Sequence, residues 1–548
     1  MSESRSSLYP ESGLLRSNLT VAAGTALSRL TGLARIIIFG VIVGQTALAD
    51  AFDAANNAPN AIYELFIGGV LSASLVPLFT RYSSDHDGDH RTDHSANQIA
   101  DHGATEAIFS VTLVALVVCT GLAILAAPQI FHLFSLYPSA GIDVAQFRSA
   151  GTMLTRIFLV QIFFYGLSAL CSALLNSRRK FFAAAWSPVL ANCVAIAFLL
   201  LLPLTTTSSP PSLLDVLDNQ TFKLLLGLGS TLGIATMAIV MYLSVRTTDL
   251  KLRFRPNFSH PAVGQLLRLS LWTLGYVVAN QIALVVIKNL ASPGSGNVDA
   301  YAKAMVLLQL PHGLLAVSIA TTFMPELARR SAARDEIGFA QQMTSGLRLT
   351  AMLVFPSGIG LLILSRPIIG LVLQHGNFDV AASINTGRAL SGMALGLIGF
   401  SIYLFTLRGF YARNDARTPF FINLFENALN IIFAFALVGR YGVLGLGLAF
   451  SLAYIVAALV ALVVLHVKVE VLSVPSVLRS LSPIVAATVV MGAAVYLCAK
   501  FVGTDYGLGA LARVGSGLAV GGTVYWLALI VFKVDELRDL KSRLRRKN

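Results

Sequence analysis

The sequence predicts an all-α membrane protein that crosses the bilayer about fourteen times, and three observations support this fold class. Hydrophobic residues make up 55% of the 548 residues, whereas charged residues make up 12%. The mean hydropathy is +0.73, which is too apolar for a soluble globule of this length. Mostly apolar stretches of about eighteen or more residues recur along the whole chain, and the alternation typical of a membrane β-barrel is not evident.

The predicted spans follow one another through mostly short loops. Their centres lie near Leu33, Leu71, Val114, Phe163, Val194, Ile234, Val278, Leu315, Phe355, Ile398, Phe433, Ala453, Val489 and Val520. One longer loop, residues 83–103, is rich in His and Asp. Its spacing fits neither a zinc module nor an EF-hand, so we interpret it as a flexible solvated loop rather than a metal site.

The net charge of +13 is unevenly distributed along the chain. If the N-terminus is cytoplasmic, the cytoplasmic loops carry roughly three times as many Lys and Arg residues as the outer loops. We therefore expect both termini in the cytoplasm. We interpret the basic tail, residues 533–548, as a topology and lipid-headgroup signal and expect no nucleic-acid partner. The first span lacks a small-residue cleavage site, so it is not expected to be a signal peptide.

The chain contains a faint internal repeat. Residues 76–83 and 324–331 both place a proline near the end of a span and an arginine four residues later. This pattern predicts two six-span lobes, 1–245 and 246–470, with a cavity between them, then two further helices in 471–532. The alternative is that both segments only obey helix-end and topology rules. All four cysteines fall within spans and are expected to be core residues: Cys119, Cys171, Cys193 and Cys498.

Two arginines, Arg29 and Arg35, lie inside the first span. A charge there costs several kcal/mol unless it faces a polar cavity, and a guanidinium group suits phosphate or carboxylate. Six residues apart on a helix, their directions differ by about 120°, so both can reach one central cavity from neighbouring faces. The structural alternative pairs them with acids such as Glu64.

Four motifs carry a resemblance to a known family. They are residues 28–35 (SRLTGLAR) continued by 49–52, 59–60, 69–72 and 76–77; then 309–318 (QLPHGLLAVS); 374–378 (QHGNF); and 409–419 (GFYARNDARTP). In this order they resemble the lipid II flippase family (MurJ/MviN), which is similar to multidrug and polysaccharide exporters.

The resemblance implies that the chain moves lipid II, the undecaprenyl-pyrophosphate-linked peptidoglycan precursor, to the outer leaflet of the bacterial cytoplasmic membrane by alternating access. It implies cargo contacts at Ser28, Arg29, Arg35, Asn60 and Asp50, with a place in an external gate as the alternative for Asp50. We add Lys303 as a candidate cargo contact. Family members often carry a further arginine in span eight, where this chain has Val306; Lys303 lies on the same helical face. The alternative for Lys303 is a lysine that extends toward the outer surface.

The energy source is expected to be a Na⁺ or H⁺ gradient or the membrane potential, with no other cofactor. Some family members bind sodium in the second lobe. In span eleven of this chain the candidates for ion coupling are Glu426, Asn427 and Asn430. Interhelical packing through these polar side chains is the alternative. Arg408, near the end of span ten, is interpreted either as a cavity residue or as a topology charge.

Two rival functions remain from the sequence. A multidrug or polysaccharide-lipid exporter would share the fold. A polyprenyl-phosphate-dependent glycosyltransferase would use catalytic acids in the first external loop, where we expect Asp50 and Asp53. The chain offers no hydrolase triad, phosphate-binding glycine loop or metal-ligand cluster. We therefore expect a transporter rather than an enzyme, with lipid II and membrane lipids as its partners.

Overall fold

A computed structural model describes residues 11–65, 94–178, 180–248, 253–258 and 271–534. In this part of the chain every regular element is helical. The helices are α1 Glu11–Val43, α2 Ala47–Tyr63, α3 His94–Leu125, α4 Ala127–Leu133, α5 Val144–Leu159, α6 Gln161–Ser177, α7 Phe182–Leu201, α8 Leu213–Asp218, α9 Gln220–Arg246, α10 Leu271–Leu290, α11 Asn297–Pro311, α12 Val317–Ala332, α13 Glu336–Val372, α14 Val380–Ala394, α15 Gly396–Ala412, α16 Arg417–Tyr441, α17 Val443–Lys468, α18 Val474–Phe501 and α19 Gly507–Val531. A π-helical turn, His312–Ala316, joins α11 to α12.

The predicted all-α, polytopic fold class is confirmed. Among the described residues, 11 helical segments are long and apolar enough to cross a membrane, or 12 if the bent pair α14 and α15 forms one span. The segment Leu274–Leu290 is a shorter apolar helix. The predicted span near Leu71 and residues 83–93 of the His/Asp-rich loop lie outside the described residues. The four cysteines lie in helices and are free. Cys171 is buried and Cys119 and Cys498 are half-buried, but Cys193 is exposed on α7, so the expectation of a core position is wrong for Cys193.

Polar side chains at several helix starts satisfy backbone N–H groups that have no partner within the helix. Thr46 accepts a hydrogen bond from the N–H of Ala49 at the start of α2. Asp143 accepts two such bonds at the start of α5, and Asp379 accepts one from Ala382 at the start of α14. These caps stand at one end of the bundle, which also carries Gly44 and is named here the Gly44 end.

The helices pack into two groups that meet around α1, α2, α10 and α11. In the first group α1 packs on α7, α7 on α9, α9 on α6 and α2 on α5. In the second group α10 packs on α16, and α17 contacts α14, α15 and α16. The last two helices, α18 and α19, pack on each other and on α13. Contacts of α11 with α1 and α2 join the groups.

Two predictions about local structure are wrong. Asp50 and Asp53 lie in helix α2, not in an external loop. The Ala-rich sequence of α2 favours a helix although its mean hydropathy is low for a span. Helix α3 begins at His94, inside the stretch that we expected to be a loop, because residues 94–105 continue the helix of the following apolar span.

Candidate functional site

A cavity of about 480 Å³ lies between the two helix groups. This volume is within the range of small-molecule sites. Its wall is built by α1 and α2 on one side and by α10, α11, α16 and α17 on the other, with one residue each from α7 and α9. Its polar lining comprises Arg35, Asp53, Asn56, Asn57, Asn60, Ser230, Asn280, Lys288, Asp299, Tyr301, Lys303, Gln309, Asn427, Asn430 and Tyr454.

The charges on this wall do not cancel. Three cations, Arg35, Lys288 and Lys303, face two carboxylates, Asp53 and Asp299. Lys288 forms an ion pair with Asp53, and Lys303 forms one with Asp299. One net positive charge remains, so the described lining favours an anionic visitor.

Arg35 is the cavity cation that has no carboxylate partner among the described residues. Its guanidinium group lies near the hydroxyl group of Tyr165, which in turn lies beside Asn60. Glu64, the acid that the sequence offered as a structural partner, instead accepts a hydrogen bond from Gln281 at 2.6 Å. Arg35 therefore presents free donors to the cavity beside a polar face of α2.

The other arginine of the first span does not line the cavity. Arg29 lies against the π-helical turn, where its Nη2 is 3.2 Å from the position that a Cβ at Gly313 would occupy. The carbonyl of Ser28 accepts a hydrogen bond from Asn192 at 3.2 Å, and Ser28 is likewise outside the cavity wall. The structure thus brings Arg35, Asn60 and Lys303 together, but separates Arg29 and Ser28 from them.

Lys303 is a buried cation rather than one that extends to the surface. It is 4% exposed and pairs with Asp299 one turn earlier on α11. Its ammonium group also lies 5.4 Å from the ring centroid of Phe39 and 5.3 Å from that of Phe378. Such aromatic faces stabilise a desolvated cation. The alternative in which this lysine reaches the outer surface is therefore wrong.

Asp50 fastens the two helix groups at the Gly44 end instead of lining the cavity. The carboxylate of Asp50 is fully buried and accepts hydrogen bonds, each 2.8 Å long, from the backbone N–H groups of Gly294, Gly296 and Asp299. Three donors compensate a buried carboxylate well. This residue closes the cavity at that end.

The motif at residues 374–378 contributes to the same closure. The backbone N–H of Asn377 donates to the carbonyl of Val41 at 2.9 Å, and its side chain donates to that of Ile42 at 2.7 Å. Gly376 has a φ of +56°, and a Cβ there would lie 2.6 Å from the Val41 carbonyl oxygen. Only glycine allows this approach without displacing α1.

Glu426 occupies a closed site behind the cavity, in the second helix group. It is 1% exposed, and neither carboxylate oxygen has a hydrogen-bond partner among the described residues. Four tyrosines lie near it: Tyr276, Tyr301, Tyr403 and Tyr454. A buried carboxyl without a partner is stable only if it is protonated or binds a cation.

The amide side chains near Glu426 form a hydrogen-bonded connection to the cavity. Asn423 and Asn427 both donate to the side-chain oxygen of Asn280, at 3.1 and 3.0 Å. Asn427 and Asn430 reach the cavity wall, and the side-chain oxygen of Asn430 has no described partner. Interhelical packing and an ion site are both compatible with these bonds. The described residues contain no group of three or more His, Cys, Asp or Glu side chains suited to a metal.

Two features of the cavity were not predicted from the sequence: the Lys288–Asp53 pair and the row of amide side chains on α2. Residues 53, 56, 57 and 60 occur at helical spacing, so a helical interpretation of α2 would have placed them on one face. The pairing of Lys288 with Asp53 joins residues 235 positions apart, and local patterning contains no signal for it.

Comparison with known proteins identifies the fold and the family. A solved lipid II flippase MurJ in an inward closed conformation matches 95% of this chain and 99% of its own, with a TM-score of 0.74 and 23% identity. An inward-facing multidrug resistance MATE family transporter matches with a TM-score of 0.65 at 13% identity over 81% of this chain and 95% of its own. At these identities the likeness concerns the fold.

Curated relatives agree. The "Probable lipid II flippase MurJ" of Rhizobium meliloti is 29% identical over 80% of this chain and 77% of its own length. Its namesake in Vibrio cholerae is 26% identical over 96% and 98%. The family model described as "Lipid II flippase MurJ" matches residues 39–542. With an arginine-lined cavity between two helix groups, this multi-pass membrane protein belongs to the lipid II flippase MurJ family.

Proposed function

We propose that the chain flips lipid II from the inner to the outer leaflet of the bacterial inner membrane. The observation that carries this proposal is the cavity between the helix groups, in which Arg35 has no carboxylate partner among the described residues. Lipid II combines a diphosphate, a sugar-peptide head and a long prenyl tail. A cationic, amide-rich cavity suits the first two, while the tail can remain in lipid.

The proposed roles follow from the positions of the side chains. Arg35 and Lys303 bind the diphosphate, and Asn60 with the neighbouring amides of α2 binds the sugars. Arg29 and Ser28 lie farther along α1, where Arg29 guides the cargo toward the cavity. Asp50 holds the closed end and does not touch the cargo.

The Gly44 end faces the outside in this proposal, and both termini are cytoplasmic. The positive-inside distribution of the sequence supports that orientation. The movement separates a first lobe, residues 1–245, from a second, residues 246–470, with the helices of 471–532 attached to the second. Closure by Asp50 and Asn377 corresponds to a state that is shut on the outside.

Glu426 is the proposed coupling group, with Asn427 and Asn430 on the path from the cavity. A proton or a sodium ion that enters this site neutralises the carboxylate, and its exit returns the charge. Because the carboxylate lies among tyrosines within the second lobe, its charge biases the packing of α16 against α10 and α17.

The test is export of lipid II from a bacterium depleted of its own flippase. The wild-type chain should restore growth and the appearance of lipid II in the outer leaflet, and Arg35→Ala at equal membrane level should not. Arg479→Ala, at an exposed arginine of α18 that does not line the cavity, is the matched arginine control. If the wild-type chain reaches the membrane but neither supports growth nor exports lipid II, the proposal is wrong; drug efflux in that strain would favour a multidrug exporter.

A further inference from the structure

The ion pair between Lys288 and Asp53 differs from every other described ion pair because it links the two helix groups inside the cavity. Lys288 is near the end of α10, and Asp53 is in the first half of α2. Their side chains are 6% and 17% exposed, and both line the cavity. Asp53 also accepts a hydrogen bond from Asn57 at 3.0 Å, which fixes its carboxylate on α2.

The pair belongs to the innermost layer of the closed Gly44 end. The next residue, Asn289, donates to the carbonyl of Leu133 at 2.7 Å and accepts from the N–H of Leu136 at 2.6 Å. Asp50 is fully buried one turn before Asp53 on α2. A molecule in the cavity can therefore reach Lys288 and Asp53, whereas Asp50 and Asn289 do not line the cavity.

The other lysine of the cavity provides an internal comparison. Lys303 pairs with Asp299 on the same helix, so an anion that captures Lys303 breaks no ion pair between the groups. If an anion instead binds Lys288, Asp53 on the opposite group loses its cation. The carboxylate of Asp53 then also lies close to the negative charge of the anion. Both the lost attraction and the new repulsion then push α2 away from α10.

We propose that Lys288 is a cargo-binding residue that is paired with Asp53 before the cargo arrives. The diphosphate of a polyprenyl-linked cargo displaces Asp53 from Lys288, and the loss of this ion pair opens the Gly44 end. This inference rests on the proposed function. It adds a residue to the cargo site and couples cargo binding to opening. Arg35 binds the diphosphate first, because its donors have no described carboxylate partner. The exchange at Lys288 follows and needs no covalent step.

The experiment measures the width of the Gly44 end. Spin labels are attached to Thr207→Cys and Ala381→Cys, exposed positions on the two groups, in the full-length chain with its four native cysteines replaced by alanine. The protein is placed in lipid nanodiscs. Distances between the labels are measured with and without undecaprenyl diphosphate, together with the affinity for that compound.

In the wild type, undecaprenyl diphosphate should raise the long-distance population about threefold or more. Asp53→Asn should raise it before any ligand is added. The double variant Asp53→Asn/Lys288→Met should still bind through Arg35, but with no further rise. Lys288→Arg should keep the response. Asp415→Asn/Lys468→Met, which removes an ion pair outside the cavity lining, should keep the rise.

Two outcomes overturn the inference: a wild-type chain that binds undecaprenyl diphosphate without opening, or a double variant Asp53→Asn/Lys288→Met that opens as the wild type does. In both cases binding through Arg35 persists and the proposed function stands. A wild-type chain that neither binds the diphosphate nor exports lipid II refutes the proposed function instead. Retained binding by the double variant also shows that its lack of response does not come from misfolding.

Discussion

Arg35 and Glu426 are both ionisable side chains within membrane-spanning helices, and neither has an ion partner among the described residues. Their surroundings differ. Arg35 lies on the wall of a 480 Å³ cavity beside amides, whereas Glu426 is 1% exposed and lies among tyrosines. An unpaired charge that a large anion can reach is suited to cargo. An unpaired charge in a closed site is suited only to a proton or a small cation.

The largest expected effect is the loss of cargo affinity when Arg35, the residue on the cavity wall, is replaced. Arg35→Ala should weaken binding of undecaprenyl diphosphate roughly 30-fold or more, because truncating one partner of a desolvated charge pair costs about 2–5 kcal/mol. Arg35→Lys should recover part of this loss, since the charge returns without the planar two-pronged geometry. Arg29→Ala should weaken equilibrium binding much less, because Arg29 lies outside the cavity wall. Equal losses in Arg29→Ala and Arg35→Ala would contradict the separation of the two arginines.

Glu426→Gln tests the closed member and should have an intermediate effect. The change keeps the shape of the side chain but prevents it from becoming an anion. Export of lipid II should slow about tenfold, which corresponds to a rise of about 1.4 kcal/mol in the activation free energy. Export should also lose its dependence on the sodium or proton gradient. Affinity for undecaprenyl diphosphate should remain within about twofold. Normal export under every imposed gradient would make α16 a packing helix and assign the coupling elsewhere.

Lys303 tests the comparison further, because it lines the cavity, as Arg35 does, but is paired with Asp299. Removing this pair should therefore have the smallest effect on cargo affinity. Asp299→Asn/Lys303→Met removes both charges without leaving a buried carboxylate alone. It should lower affinity for undecaprenyl diphosphate about two- to fivefold, while Lys303→Arg should preserve it. Lys303→Ala alone should also reduce thermal stability, because Asp299 then stays buried without its cation. A loss as large as that of Arg35→Ala would mean that Lys303 is the principal phosphate ligand.

Much of the fold could be predicted from hydropathy, because bilayer thickness and backbone hydrogen bonding leave few choices to an apolar chain. Every predicted span except the one near Leu71 corresponds to a described helical segment. Helix α2 was missed as a helix before Pro59 because its Ala, Asn and Asp residues are not apolar enough to mark a span. The error placed Asp50 and Asp53 in a loop and hid the polar face of α2.

The sequence predicts individual residues of the candidate site but not how they are arranged around the cavity. Charges at Arg35, Lys303 and Glu426 are conspicuous within apolar sequence, and the structure places the first two on one cavity. Sequence spacing gives the angle between Arg29 and Arg35 but not which of them faces the partner group, since that depends on how α1 packs on α7 and α11. The cross-group bonds of Lys288, Asn377 and Asp50 depend on the same packing.

The size of the cavity has a consequence for loading. Its 480 Å³ corresponds to the liquid volume of about sixteen water molecules, at about 30 Å³ each. A diphosphate with its first sugar fits in that space, but a disaccharide with a pentapeptide has several times as many atoms. If lipid II is drawn into this cavity, as we propose, the two helix groups move apart to admit the head, and the binding free energy of the lipid supplies the work of separating them. Cargo that lacks the peptide should enter with less rearrangement, so the peptide sets how far this protein must open.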